Sequence, residues 1–221
     1  MIKTFKTIEE QIEILKSKGL VINYYEDAKD GEEKDNVYYK AIYEQIKLLI
    51  EYDKYKEAIK YCEELLSIDN HFNGEINLLM GIAKQGIKKY QESYEQYQLA
   101  AERAKDRDIK AKAYYYAGSL DFARGRLSYA ETNFKRSITN AREVSETAYT
   151  KLIGVLLRQE KYGEVLKYIS RLKKLIPQNW KDSPVEYVEM IVNKRLGKKM
   201  PQRDSCSYTE RQIIKYKEKW I

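Results

Sequence analysis

The chain has 221 residues, of which 34% are charged, and its mean hydropathy is −0.71. Only 3 Pro and 10 Gly occur, which is few for an all-β protein with many turns and typical of a helical one. No apolar run approaches the roughly 20 residues that cross a bilayer, and acidic residues interrupt the N-terminus where a secretory signal needs an apolar segment. We therefore expect an all-α, cytoplasmic protein with no membrane span.

The net charge of +7 is spread thinly along the chain, with −3 in residues 1–38, +6 in 39–180 and +4 in 181–221. Lys and Glu that are dispersed on helices usually form a solvated face, whereas a nucleic-acid site normally shows a concentrated basic stripe. This distribution favours solvated faces. Cys62 and Cys206 have no second Cys or His at ligand spacing, so neither zinc nor a disulfide framework is expected, and Cys62 is predicted to be a core residue.

The first predicted element is a helix that begins near Ile8, where Thr7 and Glu10 form a capping-box pattern, and ends at Gly19. Its sequence, FKTIEEQIEILKSKGL, resembles the opening of Abi-like abortive-infection proteins, although the chain lacks the Arg and His pair of a nuclease type. The acidic, polar stretch 25–36 is expected to be a loop. Residues 1–38 are thus predicted to form an N-terminal helix and an acidic linker.

From Tyr39 onward a helix-turn-helix pattern recurs. Its reference residues are Ala58, Ser93, Ala130 and Val165, which are separated by 35, 37 and 35 residues. Three residues before them stand Tyr55, Tyr90, Leu127 and Tyr162, and four residues after them stand Cys62, Tyr97, Phe134 and Ile169. A period near 34 is the signature of the tetratricopeptide repeat (TPR), which the chain resembles.

Small residues in the first helices support the same alignment. Gly81 and Gly118 hold the small position, and Ala117 and Ala123 are expected on the same face as Gly118. Ile46 and Ile153 replace the small residue in the first and fourth repeats, where we expect looser or shifted packing. Gly125 is predicted to supply the turn of the third repeat.

The resemblance implies a right-handed α-α superhelix of about four TPR-like helix pairs over residues 39–180, with capping helices over residues 181–221. Pro177 ends the fourth repeat. The next predicted helix places Val185, Val188, Val192 and Leu196 on one face, and a last helix carries Trp220. Stacked repeats need such terminal helices to cover the final apolar face.

Catalytic motifs are missing from the sequence. The single histidine, His71, falls in a predicted loop, and we find no Gly-rich phosphate loop, nucleophile elbow or paired metal-ligand motif. We therefore predict that the chain is not an enzyme and has no metal or cofactor.

A partner-binding groove is implied by the TPR resemblance, because in that family the first helices line the inner face. The residues at those positions are Tyr43, Lys47, Leu78, Ile82, Lys112, Tyr115, Ser119, Phe122, Thr150, Leu157 and Arg158. They are aromatic, aliphatic and basic, which suits an extended peptide with apolar anchors and some acidic residues. Tyr43, Leu79 and Tyr116 stand where a carboxylate clamp needs polar groups, so a receptor for chaperone tails is disfavoured.

Three functional hypotheses follow. The first is a protein- or peptide-binding scaffold. The second is a peptide-sensing or defence-associated regulatory module in a bacterium, as the N-terminal resemblance implies. The third is RNA binding through the basic, Tyr-bearing groove, although core packing explains most of the 21 tyrosines. Exposed faces of the terminal helices would also allow self-association into a homo-oligomer.

Overall fold

The computed structural model describes residues 31–67, 73–176, 178, 180 and 183–198, and side chains from Tyr39 onward with the exception of residue 41. Every regular element in these ranges is an α-helix, so the described part of the chain is all-α. The helices are α1 (Gly31–Glu51), α2 (Tyr55–Ser67), α3 (Asn73–Gly86), α4 (Tyr90–Arg103), α5 (Arg107–Ala123), α6 (Leu127–Asn140), α7 (Glu146–Arg158), α8 (Tyr162–Leu175) and α9 (Pro184–Arg195).

The chain divides into two compact units, of which the first ends at Arg103 and the second begins at Ala104. Unit 1 contains α1 to α4 and unit 2 contains α5 to α9. Within each unit every helix contacts the next one along the chain. The first helices of successive pairs also touch, α1 against α3 and α5 against α7. In each unit, first and second helices therefore alternate along the chain, and the first helices of successive pairs pack side by side. Short turns join the two helices of a pair.

One turn recurs at the end of each first helix. The backbone has a positive φ, between 58° and 71°, at Asp53, Lys88, Gly125, Glu160 and Gly197. In each turn the N–H of this residue donates to the carbonyl three residues earlier, and the following N–H donates to the carbonyl five residues earlier. These bonds satisfy helix carbonyls that would otherwise lack partners. The turn at Gly125 confirms the prediction made for that residue, and the turn after α9 has the same form.

The repeat positions coincide with the core. The reference residues Ala58, Ser93, Ala130 and Val165 are each 0% exposed, and so are Cys62, Tyr97, Phe134 and Ile169 four residues later. One face of each second helix is therefore buried, as the 3.6-residue helical period requires. The prediction of a buried Cys62 is confirmed. Tyr90 differs from its counterparts in the repeat, because its side chain is 44% exposed.

Close packing of helix pairs explains the small residues of the first helices. A Cβ atom at Gly81 would lie 2.5 Å from the Tyr97 ring, and one at Gly118 would lie 3.2 Å from the Phe134 ring. In the first pair the sizes are reversed, because Ile46 stands at the small position while Cys62 stands at the large one. Ile46 and Ile153 are both fully buried, so the larger side chains are accommodated within the core.

The last described helix, α9, packs on the core of unit 2. Val185, Val188 and Val192 are buried in the cluster that also holds Leu172. Lys173 pairs with Glu189 at 2.5 Å and so links α8 to α9. Leu196, which was predicted to share this face, is 43% exposed because it caps the helix end.

Two further expectations differ from the structure. Ala123 is exposed at the end of α5 and does not share the buried face of Ala117 and Gly118. Residues 31–36, expected in a loop, belong to α1, which begins at Gly31. The predictions for residues 1–30, His71, Pro177, Cys206 and Trp220 lie outside the described residues. In the described ranges, no helix is long and apolar enough to cross a membrane.

Candidate partner-binding site

The predicted site residues of unit 1 lie on α1 and α3. Tyr43 is half-buried and stacks on Tyr39, with 6.4 Å between the ring centroids. Lys47 is exposed, lies 5.4 Å from the Tyr43 ring centroid and pairs with Glu44 at 2.8 Å. Burial raises the pKa of the Tyr43 hydroxyl, and the charge of Lys47 acts in the opposite direction. This phenol is therefore neutral near pH 7 and offers a partner a hydroxyl and part of a ring.

The α3 residues of this predicted face are less accessible. Leu78 is only 4% exposed, so its side chain is buried and is not available to a partner. Ile82 is half-buried against the core of unit 1. Gln85 accepts a hydrogen bond from the Tyr97 hydroxyl at 2.8 Å. The accessible part of the unit 1 face is consequently small, and Lys47 is its exposed cation.

In unit 2 the predicted residues of α5 and α7 meet directly. The Arg158 guanidinium lies over the Phe122 ring, 4.6 Å from its centroid. Phe122 is only 6% exposed, so the expectation that its ring contacts a partner is not met in this structure. Its ring instead supports Arg158, which remains exposed. A cation over an aromatic face is attracted by the ring quadrupole, and this contact favours the position of the guanidinium above the ring.

The middle of the unit 2 face is formed by Tyr115. Its ring is half-buried against Phe134, with 5.8 Å between the centroids, and it packs edge-on against Tyr116. Burial raises the pKa of the Tyr115 hydroxyl. Ser119, one turn further along α5, donates to the carbonyl of Tyr115 at 2.9 Å. Part of the aromatic surface is thus accessible on a well-packed helix.

The remaining predicted residues of unit 2 differ in how far their side chains are exposed. Lys112 is exposed one turn before Tyr115 on α5. Thr150 is half-buried and donates to the carbonyl of Thr147 at 2.9 Å. Leu157 is half-buried and packs against the core of unit 2. The unit 2 face therefore combines two exposed cations, Lys112 and Arg158, with partly exposed aromatic, aliphatic and hydroxyl groups.

The division into units also changes the interpretation of charge. Residues 1–103 hold 15 basic and 20 acidic side chains, a net charge of −5, whereas residues 104–221 hold 26 basic and 14 acidic ones, a net charge of +12. The expectation of a thinly spread excess is therefore wrong at the level of the units. The range 39–180 contains parts of both units, so its net charge of +6 averages an acidic part and a basic part.

No catalytic or metal constellation accompanies these faces in the described ranges. No group of three or more His, Cys, Asp or Glu residues there is arranged to hold a metal ion. The lone described thiol, Cys62, is buried in the core of unit 1, and burial raises its pKa to about 12. A thiol of this kind is largely protonated at neutral pH and is a poor nucleophile.

Within the described residues, the fold and these faces define a class of protein, namely an all-α arrangement of consecutive helix pairs whose first helices touch in each unit. Comparison with protein-family models and with curated proteins finds no match to this chain.

Proposed function

We propose that this chain is a TPR-like scaffold that binds a protein or peptide partner and has no enzymatic activity. The regular spacing of the five turns, 35 or 37 residues between Asp53, Lys88, Gly125, Glu160 and Gly197, supports a single repeated unit. TPR stacks bury a continuous core between neighbouring pairs and leave the faces of their first helices for recognition. We include in this proposal that the helix pairs stack into a right-handed superhelix.

The observation that supports a binding face most directly is the contact between Arg158 and Phe122. It brings side chains of α5 and α7 together, so that the first helices of two successive pairs present one surface. A partner that crosses both helices would meet Lys112, Tyr115 and Arg158 within the same unit. Recognition by two adjacent helices is more selective than recognition by either helix alone, because the partner must match both.

The chemistry of this surface indicates what it binds. Tyr115 and Leu157 each expose part of an apolar side chain, and such groups supply anchor pockets in interfaces. Lys112 and Arg158 favour an acidic neighbour, and Arg158 is oriented by the ring beneath it. We infer that the partner is an extended or helical peptide that carries an apolar anchor next to an acidic residue.

Selection from a phage-displayed library of random 12-residue peptides tests this function. The wild-type chain should enrich peptides with an aromatic or aliphatic residue beside Asp or Glu. The double variant Lys112→Glu/Arg158→Glu should lose these peptides, because both cations of the face are reversed. The matched control is Lys56→Glu/Lys60→Glu, which makes the same change in charge on exposed residues of α2.

The control variant should retain the selected peptides, and circular dichroism should show that both variants remain helical. If the wild-type chain enriches no peptide family, or if the α5–α7 variant retains the same peptides, the proposed binding face is wrong.

A further inference from the structure

In each unit a second exposed surface lies on the second helices, away from the face formed by the first helices. Exposed positions recur two, six and nine residues after each reference residue, and the i, i+4, i+7 spacing places them on one side of each helix. We call these positions the outer row. Their residues are Lys60, Glu64 and Ser67 on α2, Glu95, Leu99 and Glu102 on α4, Thr132, Arg136 and Thr139 on α6, and Lys167, Arg171 and Lys174 on α8.

The outer row changes sign between the two units. In unit 1 it carries three glutamates and a single lysine, whereas in unit 2 it carries four cations and no acid. All positions of the row are exposed except Leu99, which is half-buried. In each unit the row therefore has the same sign of charge as the whole unit.

Ion pairs hold the two helices of the unit 2 row side by side. Lys135 on α6 lies 3.2 Å from Glu164 on α8, and Lys161 lies 2.7 Å from Glu131. Burial opposes the ionisation of Glu131, but Lys135 and Lys161 outweigh it and lower its pKa. The two acids at this junction are thus already neutralised by lysines that lie outside the row.

The cations of the row itself are differently placed. Within the described residues, neither Lys167 nor Lys174 forms an ion pair with a carboxylate. Arg136 lies over the Tyr114 ring, 5.5 Å from its centroid. Tyr129, one turn before Thr132 on the same side of α6, is 64% exposed. The surface thus combines cations that no carboxylate of the described residues pairs with and an accessible aromatic ring.

We propose that the outer row of unit 2 binds single-stranded nucleic acid, with Arg136, Lys167 and Lys174 on the phosphates and Tyr129 stacked on a base. Cations along a groove or face and a sequence-tolerant aromatic platform are the two elements of such recognition. A protein partner is less well suited, because lysine is depleted in protein interfaces and the row offers no aliphatic anchor. This site is separate from the α5–α7 face, so nucleic-acid binding here does not depend on peptide binding there.

Fluorescence anisotropy with a labelled 20-nucleotide oligo(U) RNA tests the site. Lys167→Glu/Lys174→Glu should weaken binding about tenfold or more at low salt, and the slope of log K against log salt should become shallower by about 1.4, as expected for two lost contacts to a single strand. Tyr129→Ala should weaken binding about fivefold or more through lost stacking. Oligo(dT) of the same length shows whether the 2′-hydroxyl contributes.

The control is again Lys56→Glu/Lys60→Glu, which gives the same net charge but leaves the unit 2 row unchanged. It should reduce RNA affinity by less than the α8 variant does. Equal weakening by both variants would show that net charge alone attracts RNA and would overturn the site. Failure of the wild-type chain to bind either nucleic acid would also overturn it. Salt-dependent binding of a 20-residue polyglutamate that is lost in Lys167→Glu/Lys174→Glu would then assign the row to an acidic protein partner.

Discussion

Gly81 of α3 packs against the ring of Tyr97 on α4 so closely that a Cβ atom there would lie 2.5 Å from Cε1 and 2.6 Å from Cδ1. The ring has little freedom to move away, because it is fully buried and its hydroxyl donates to Gln85. The neighbouring Gly81 carbonyl accepts a hydrogen bond from the Ser93 hydroxyl at 2.7 Å. This pair of residues therefore sets the distance between the two helices.

Gly81→Ala should lower the free energy of unfolding by about 1–3 kcal/mol, because the added methyl group overpacks the seam. Urea unfolding followed by circular dichroism measures the change. Gly163→Ala is the control, since no heavy atom lies within 4 Å of a Cβ at that exposed site of α8. It should leave stability unchanged or increase it by up to about 1 kcal/mol. Equal losses in the two variants would contradict the close packing of Gly81.

The recurring turn leads to a second prediction, in which substitutions at two equivalent positions change stability in opposite directions. Lys88 adopts φ 64° without being glycine, whereas Gly125 adopts φ 71° at the equivalent position. A left-handed conformation costs a residue with a side chain about 1–2 kcal/mol. Lys88→Gly should therefore stabilise the chain by about 0.5–1 kcal/mol, and Gly125→Ala should destabilise it by about 1 kcal/mol.

Thermal and urea unfolding of the two variants check this expectation. No heavy atom lies within 4 Å of a Cβ at Gly125, so a loss there reports backbone strain and not a steric clash. A gain in stability for Gly125→Ala would show that the turn is not left-handed.

Much of the fold was predictable because a helical period and a repeat period act on the same residues. The spacing of Ala58, Ser93, Ala130 and Val165 located four buried positions without any structure. The turns at Gly125 and Gly197 could be recognised by residue type, whereas Lys88 and Glu160 are not residues that favour a positive φ. Their position relative to the repeat, and not their chemistry, would have revealed them.

A third prediction concerns a buried charge beside this turn. Asp121 is 0% exposed, pairs with Arg126 at 2.7 Å and accepts a hydrogen bond from Asn133 at 2.8 Å. Arg126→Ala leaves the carboxylate in the core without its cation, and removal of one partner of a buried pair costs about 3–5 kcal/mol. Because Arg126 itself is 38% exposed, we expect the lower part of that range.

The double variant Arg126→Ala/Asp121→Asn separates the buried charge from the lost contacts. Urea unfolding should show that it is more stable than Arg126→Ala alone, because the buried carboxylate charge that Arg126 balances is then also removed. If the single and double variants are equally stable, the carboxylate is not the cause of the loss.

The candidate site was less predictable than the fold for a physical reason. The helical register shows which side of α5 a residue occupies, but it does not show what the next helix places on top of it. Phe122 was therefore expected to contact a partner, whereas Arg158 covers it. Leu78 likewise lies on the predicted side of α3 but is buried. Burial depends on packing between helices, which a single sequence specifies only indirectly.

The last prediction concerns pH and the start of α5. Asp106 caps this helix and accepts hydrogen bonds from the N–H groups of Asp108 and Ile109, at 2.6 and 3.3 Å. The bond from Asp108 is the largest cause that lowers the pKa of Asp106; burial opposes it, and Ile109 and Arg142 add to it. A carboxyl whose pKa is lower in the folded chain stabilises it above the unfolded value, near 3.9, and this contribution is lost as pH falls through the folded value.

Asp106→Asn keeps a capping oxygen but loses the charge, so it should be less stable than the wild type at pH 7. The difference should shrink as pH falls below about 4, where the wild-type carboxyl takes up its proton. Urea unfolding of both chains between pH 7 and pH 2.5 measures this difference. Arg142→Ala should keep most of the pH dependence, because the backbone N–H of Asp108 remains in place. A pH-independent difference for Asp106→Asn would show that the carboxylate charge does not stabilise α5, and loss of the whole effect in Arg142→Ala would assign it to the ion pair and not to the cap.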